Sequence, residues 1–533
     1  MKTRRSWKFF HRPQVSVGTM SYQMNFAASP DQDGLTRRIL PLCVALLSIA
    51  CVAAVIFGAR WPLLGDEGII HYVVFLIEKG HTPYVGIKDL NLPGSYFLDA
   101  LVIHLLGPGD VGVRLYDLLL CVLACVASAC AVQRDKKQML AGLSAGLLFV
   151  LVHLQDGLVE AGQRDFAMAV FAVCAYVILV RDDDRWLQRI FAFSLIVGFT
   201  ATIKPTLLLL ALLPLVYAPS RRFIAWRPLA GVAAMLSGFC LPILIAILWL
   251  ASHGAVGALY DVLTTIGALH GQLPRRGLWF LLVHSLSPLN EFFLLWLIAV
   301  LLGKMRWTAE RVALAFCAAA GLVSYLVQGK GLSYHRYPLL FFMLVLMSND
   351  FYRLMQSPGW RRYAGAAAFV AYAFVLAPLS VWRISRFDHA APFQDALAQR
   401  LIGMQASSAE GIQCLDTYVG CSSTLYRLKL EQSTGYLYDC YLTMPVSPLR
   451  DRYRREFLQS LTTKRPRTIV VTDQPCFIAH EGFQWMEAWP ELASYLGENY
   501  RLADQWSSHQ QVRLWNRPET PAAFRIYLLK ESR

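Results

Sequence analysis

The chain has 533 residues, of which 56% are hydrophobic and 16% charged, a balance that excludes a typical soluble protein and implies apolar spans of roughly 20 residues each. Lysine and arginine outnumber aspartate and glutamate by 50 to 36, a formal net charge of +14. Apart from the amino-terminal arm and the carboxyl-terminal tail, much of this excess sits in short loops between apolar runs, as the positive-inside rule expects of cytoplasmic loops, so nucleic-acid binding is rejected.

Lys2, Arg4, Arg5, Lys8, Arg12, Arg37 and Arg38 precede the first apolar run, Ile39 to Ala59. These cations place the amino terminus in the cytoplasm, and a polar arm this long argues against a cleaved signal peptide. Residues 1–37 read as a disordered basic arm. Further runs follow at about 112–132, 138–155, 165–181, 190–203, 206–218, 229–250, 279–301, 311–327, 337–354 and 364–382, giving about 11 transmembrane helices in a domain covering 38–382. Alternation from a cytoplasmic start puts the loops 134–137, 181–189, 221–227, 304–311 and 353–362 inside, and each is rich in Lys or Arg. The runs 190–203 and 206–218 are short and broken by Lys204-Pro205, so two crossings, one kinked span and a hairpin of half-helices all remain open.

After Trp382 the composition turns polar, with a strand-like run at Arg467-Thr468-Ile469-Val470-Val471 and aromatic-rich helical stretches. Residues 383–533 are therefore expected to form a soluble α/β domain, which an odd number of crossings places on the outer face. Its cysteines, Cys414, Cys421, Cys440 and Cys476, are an even set consistent with disulfides in an oxidising compartment. The other eight cysteines lie in apolar runs, as small core residues.

The first outer loop, 61–110, is unusually long. It opens Gly65-Asp66-Glu67-Gly68, continues as an apolar helix from Ile69 to Lys79 that stops at Gly80, and holds a second helix from Ser95 to Leu106. The first is expected to lie at the membrane interface, and the two together to wall a groove above the bilayer. Asp66, where the chain leaves the membrane, suits a general base, partly desolvated yet open to water. It equally suits an N-cap of the following helix, and Glu67 would complement the helix dipole there.

Arg164 and Asp165 fall at the outer end of a span, where charge is costly unless used. They read either as an Arg-Asp pair snorkelling to the interface or as a phosphate-binding cation and a second carboxylate facing Asp66. The loop Gln328 to Pro338 packs Lys330, His335 and Arg336 into a short outer connection, against the positive-inside bias, and Lys204, Arg275 and Arg276 add positive charge. Such groups suit phosphate oxygens or anionic headgroups. There is no Walker loop, no His-Glu-x-x-His helix and no Gly-x-Ser-x-Gly elbow. Carboxylates among cations at an outer face instead suit transfer of a group from a lipid phosphate to a hydroxyl.

These residues, over roughly 39–382, resemble the membrane-embedded GT-C glycosyltransferases, specifically the branch of protein O-mannosyltransferases, lipid A aminoarabinose transferases and bacterial family-39-like enzymes. The resemblance rests on Asp66-Glu67, Asn91-Leu92-Pro93-Gly94, Tyr96-Phe97, Val113-Arg114-Leu115, Gly162-Gln163-Arg164-Asp165, Lys204-Pro205 and Gly329-Lys330-Gly331 through Tyr334-His335. It implies that Asp66, Glu67 and Asp165 form the catalytic group, with Asp66 as base, and that Lys88, Arg164, Lys204, Lys330, His335 and Arg336 hold phosphate and substrate. Leu92 departs from the pattern, where many relatives carry Lys, and Lys88 is the candidate replacement. The implied partners are a polyprenyl-phosphate sugar donor and a glycan, lipid or protein acceptor in the plasma membrane. Some GT-C relatives use a divalent metal; with one Asp-Glu pair and no His cluster, no metal and no other cofactor is assigned. The alternatives are a flippase or transporter of lipid-linked glycans, against which the lack of a repeat counts, and a non-catalytic assembly factor.

Overall fold

A computed structural model describes residues 30–531, except 133–135, 182–184, 221–227, 287–288, 304–306, 389–390, 418, 474–481 and 509–521. Most of the amino-terminal arm, parts of the basic loops and Cys476 thus lie outside the described residues.

The helices in chain order are α1 (Pro30–Gly58), α2 (Gly65–Glu78), α3 (Pro93–Leu106), α4 (Asp110–Ala131), α5 (Lys136–Asp156), α6 (Arg164–Val180), α7 (Trp186–Ile203), α8 (Leu213–Ser220), α9 (Pro228–Ser252), α10 (Val256–Gly271), α11 (Leu289–Gly303), α12 (Ala309–Gln328), α13 (Tyr337–Met355), α14 (Arg361–Ala371) and α15 (Ala377–Ile384). Eight helical stretches among the described residues are long and apolar enough to cross a membrane. Their packing follows from side-chain periodicity. On α1, Leu40, Cys43, Leu47, Ala50 and Ala54 are buried, while Leu42, Ile49, Val52 and Ile56 are exposed on the other side, so one helical stripe meets protein and the opposite one suits lipid. Helices α5 and α13 lie in the middle, with apolar side chains buried on every face. Gly142 and Gly146 let α5 approach α4 closely: a Cβ on Gly142 would stand 2.3 Å from the Ser128 carbonyl oxygen, the small-residue contact that packs helices in lipid.

At Lys204-Pro205 the chain reverses direction rather than continuing as one kinked helix. At one end Lys204 bonds Asp165, in the first turn of α6; at the other, the Tyr217 hydroxyl donates to the Val180 carbonyl, in the last turn of α6. Residues 205–220, a 3-10 segment followed by α8, thus return along the full length of α6. Residues 279–301 are not a single long helix, because a π-turn at Phe280–His284 precedes α11.

The tail forms a four-stranded sheet, β1 (Ile412–Leu415), β2 (Thr468–Thr472), β3 (Tyr500–Ser507) and β4 (Ala523–Leu529), in the order β1-β2-β4-β3. β1 pairs parallel to β2 in the register Ile412 to Thr468, and β4 runs antiparallel to both its neighbours. Cys414 and Cys421 form a disulfide, and Cys440 is also disulfide-bonded. The core of the tail is continuous with α2 and α10: Tyr72, Phe75 and Ile266 pack in one cluster with Leu425, Tyr436 and Phe457. Here the expectation for the first loop needs correcting. Helix α2 is buried along most of its length under the tail helix Cys421–Leu428 rather than laid on the membrane surface, whereas α3 does expose Leu101 and Leu105.

Candidate active site

Helix α2 starts from Leu64, which occupies the N-cap position and lends no side-chain bond. Asp66 is therefore not the cap. It sits in the first turn, where its Oδ2 accepts from Arg164 Nη2 at 3.1 Å and from Gln163 Nε2 at 3.3 Å. Its side chain is 37% exposed, so a carboxylate oriented by two donors still opens onto solvent.

Glu67, one residue on and about 100° round the helix, is 5% exposed and faces inward. It meets His71 on its own helix and Asp99 on α3, with His71 Nδ1 2.7 Å from Asp99 Oδ2. Burial pushes the Glu67 carboxyl well above the usual range and that of Asp99 to about 7, and pushes the His71 imidazole down. The adjacent Asp66 and Glu67 thus have separate surroundings. His71 and Asp99 lie within stretches whose sequence signal is apolar helix, and nothing local marks them as partners.

The expected Arg164-Asp165 pair does not form. Arg164 bridges Asp66 and, through Nη1, Asn91 Oδ1. Asp165 is 1% exposed and is held by Lys204 Nζ at 2.9 Å. Lys204, extended at the end of α7, also lies 5.6 Å from the centre of the Tyr334 ring. Neighbouring residues on α6 therefore anchor two different elements.

Loop 329–333 brings Lys330 to His270 of α10, whose ring Nδ1 lies 3.3 Å from the Tyr441 hydroxyl in the tail. Burial, then repulsion from Lys204 and Arg275, pushes the Lys330 ammonium down to about 7, and the His270 imidazole is held at about 3 by burial and Lys330. The Asp66 carboxylate acts electrostatically on Lys330, His270 and Tyr441, so these groups lie within its electrostatic reach. Ser333 donates to buried Glu160 at 2.6 Å and fastens the loop to the turn before α6.

Two expected phosphate ligands are placed differently. Arg336 is buried and pairs with Asp156 at 2.7 and 2.9 Å, while donating to the Ser285 carbonyl. Its charge is thus already met inside the bundle. His335 is buried with its ring edge-on to Tyr334, 4.6 Å between centres. Arg275 donates to the Leu326 and Val327 carbonyls and serves the local backbone.

Lys88 is fixed to the tail by its backbone, whose N–H donates to Gly435 at 2.7 Å. The residue of this loop that reaches Arg164 is Asn91. Its amide donates to Asp89 at 3.0 and 3.1 Å, and Asp89 also accepts from Tyr96 at 2.8 Å and from the tail residue Tyr438. Tyr84, buried with a left-handed backbone at φ 64°, donates to the Asn91 carbonyl at 2.7 Å. A non-glycine in this region costs about 1–3 kcal/mol and persists only where its surroundings fix it, so this loop is rigid around Asn91. Tyr438 and Tyr441 lie too far along the chain from Asn91 and His270 for sequence spacing to associate them.

The crystal structure of ArnT from Cupriavidus metallidurans bound to undecaprenyl phosphate aligns over 90% of this chain and 97% of that one, with a TM-score of 0.54 and 13% identity. This chain has the GT-C fold. The cryo-EM structure of the arabinofuranosyltransferase AftD from Mycobacteria aligns at 0.49 and 13% identity over 91% of this chain and 40% of that one. The Archaeoglobus fulgidus oligosaccharyltransferase tethered with an acceptor peptide aligns at 0.49 and 11% identity over 88% and 73%. No family model and no curated protein sequence matches the chain. Within this GT-C fold, the long first loop, the start of α6 and loop 329–333 converge at one end of the bundle beneath the tail.

Proposed function

We propose that the protein is an inverting glycosyltransferase that moves a sugar from a polyprenyl-phosphate donor to a hydroxyl of an envelope glycan, lipid or protein. One observation carries this reading: Asp66 is an oriented, partly exposed carboxylate with the ammonium groups of Lys204 and Lys330 within its electrostatic reach. The GT-C fold and the polyprenyl phosphate named for its ArnT neighbour support the choice of donor.

In the proposed reaction Asp66 takes the acceptor hydroxyl proton as the acceptor oxygen bonds to C1 of the sugar. The C1–oxygen bond to the lipid phosphate breaks, and the phosphate leaves with the electron pair. Lys330 and Lys204 lie where cations could offset that charge. Arg164, held by Asn91, aims Asp66, while Lys204 also fixes Asp165 at the wall of the cleft. Asp66 and Asp165 are each met by a protein cation, and the steps run through protein groups alone. Glu67 is assigned no proton transfer, because it faces the interior of the α2–α3 pair. Arg336 is assigned to the bundle and Lys88 to the contact with the tail.

The proposal places the protein in the plasma membrane, with the amino terminus cytoplasmic and the tail extracytoplasmic, covering the cleft. The test is release of polyprenyl phosphate from a panel of polyprenyl-phosphate sugars by purified protein, with envelope extract as acceptor. Turnover that disappears in Asp66→Asn while the lipid still binds supports transfer. Binding without cleavage by the wild type across the panel would instead favour a flippase or transporter.

A further inference from the structure

Glu67 and His71 are four residues apart on α2 and so lie on one helical face. Asp99 projects from α3 toward them. One ligand atom from each residue lies within 4.8 Å of the others, and the residues are only 5%, 0% and 3% exposed. Such groups are normally hydrogen-bonded when buried. Here Asp99 shares a hydrogen bond with Glu67 and its Oδ2 is 2.7 Å from His71 Nδ1, yet neither imidazole nitrogen has a partner in good hydrogen-bonding geometry. Among the described residues, neither carboxylate forms an ion pair with Lys or Arg. Two acidic groups and an imidazole thus converge in a buried pocket, held to one another and to no cation of the protein.

We propose that Glu67, His71 and Asp99 bind one divalent first-row transition cation, which clamps α2 to α3 directly behind Asp66. Two carboxylates and a neutral imidazole would balance the ion's charge of +2. This donor set suits Zn²⁺, which accepts three protein ligands from His and acidic residues and leaves a fourth position for water. The ion joins the first turn of α2 to the middle of α3. Because Glu67 follows Asp66 directly, it fixes the direction from which Asp66 enters the cleft. Gly162 closes the site from the α6 side: its φ is +73°, and a Cβ there would stand 3.2 Å from Glu67 Cγ. Metal binding stands independently of the transferase reading; the effect on Asp66 rests on that reading.

The test uses the full chain, purified in detergent, stripped with a chelator and re-equilibrated with micromolar Zn²⁺, with bound zinc measured by elemental analysis. One equivalent is expected for the wild type and for His104→Ala, a substitution of an exposed histidine. His71→Ala and Asp99→Asn are expected to bind at least about 100-fold more weakly, since even outer-shell changes cost about 10–100-fold. If those variants do not fold, X-ray absorption of the zinc-loaded wild type decides. A first shell of nitrogen and oxygen with a single imidazole supports the site. Absence of stoichiometric zinc in the wild type, unchanged binding in both folded variants, or a shell with sulfur or two imidazoles overturns it.

Discussion

Arg164 turns away from its chain neighbour Asp165 and sets its Nη2 3.1 Å from Asp66 Oδ2, 98 residues earlier in the sequence. Consecutive side chains on a helix diverge by about 100°, so the first turn of α6 serves two partners: Arg164 orients Asp66, and Asp165 receives Lys204 from the end of α7. The same divergence in α2 sends Asp66 to the cleft and Glu67 to the interior. Two pairs of adjacent charged residues thereby build an open site and its support at once.

Asp66→Asn keeps the shape and the contact with Arg164 but removes the proton acceptor. Turnover is expected to fall by about 10²–10⁴, the usual worth of a general base, while the affinity for a polyprenyl-phosphate sugar stays within about threefold of wild type. Arg164→Lys cannot reach both Asp66 and Asn91 with one planar group, and is expected to lower kcat more than it raises KM. Single-turnover assays beside lipid-binding measurements separate the two effects. A fully active Asp66→Asn enzyme would remove Asp66 from the chemistry.

Lys330 gives the site a pH dependence. Its free ammonium is pushed down to about 7 by burial, Lys204 and Arg275, whereas a bound phosphodiester, anionic across the neutral range, favours the protonated form and raises the pKa. Donor binding then takes up a proton above pH 7. Affinity should be flat below pH 7 and weaken above it, approaching about tenfold per pH unit up to the bound-state pKa. Titration calorimetry with the lipid donor at pH 6, 7 and 8 measures this trend. Lys330→Ala is expected to bind more weakly at pH 6 and to abolish the slope.

The tail reaches the site through hydrogen bonds. Tyr438 donates to Asp89, which holds the Asn91 amide, and Asn91 in turn meets Arg164. Tyr438→Phe keeps the ring and loses a bond to a carboxylate, an interaction worth about 1.5–3 kcal/mol. About tenfold slower turnover is expected, with donor affinity retained and an unaltered elution profile on size exclusion. Unchanged kcat would mean that the tail only covers the cleft.

Much of this arrangement is legible in the sequence because it follows from local pattern. The apolar runs become helices, the strand-like run around Ile469 becomes β2, and Lys204-Pro205 interrupts the bundle where the proline removes a backbone donor. Asp66, Arg164, Asp165 and Lys204 stand out as charges at the ends of apolar runs, and the structure brings all four together. Their pairing is not legible, since it depends on helix phase: Arg164 and Asp165 are adjacent but point apart. Nor are the contributions of Asn91, His270, Tyr438 and Tyr441, which come from segments distant in the chain. His71 and Asp99 are hidden for another reason. Both sit within apolar helices, where a single polar residue gives no sign of what it faces.

The disulfide Cys414–Cys421 joins β1 to the helix that covers α2 and closes a separation of seven residues. A loop that short restricts the unfolded chain by about 2–3 kcal/mol. The paired substitution Cys414→Ser and Cys421→Ser is expected to lower the stability of the tail by about that much in denaturant titrations followed by tryptophan fluorescence. The Asp416 carboxylate, which accepts from the backbone N–H groups of Gly420 and Cys421 at 2.9 and 2.7 Å, still orders the turn, so the native fold should persist. If the reduced wild type and the double variant are as stable as the oxidised wild type, the bond does not support the tail.

Arg336 and Asp156 allow the bundle to be tested separately from the cleft. The pair is buried, at 2.7 Å, with the Tyr337 hydroxyl donating to the same carboxylate at 3.1 Å. Removing one partner leaves an uncompensated charge in a low-dielectric interior, whereas removing both eliminates the imbalance. Asp156→Ala alone is expected to cost about 3–5 kcal/mol, and Arg336→Met together with Asp156→Ala to recover at least half of that loss, as read by thermal unfolding in detergent. If Arg336 instead ligates the donor phosphate, Arg336→Met should weaken lipid binding while Asp156→Ala leaves the stability of the bundle unchanged. Comparing lipid affinity and unfolding in the same three variants therefore separates a structural arginine from a phosphate ligand.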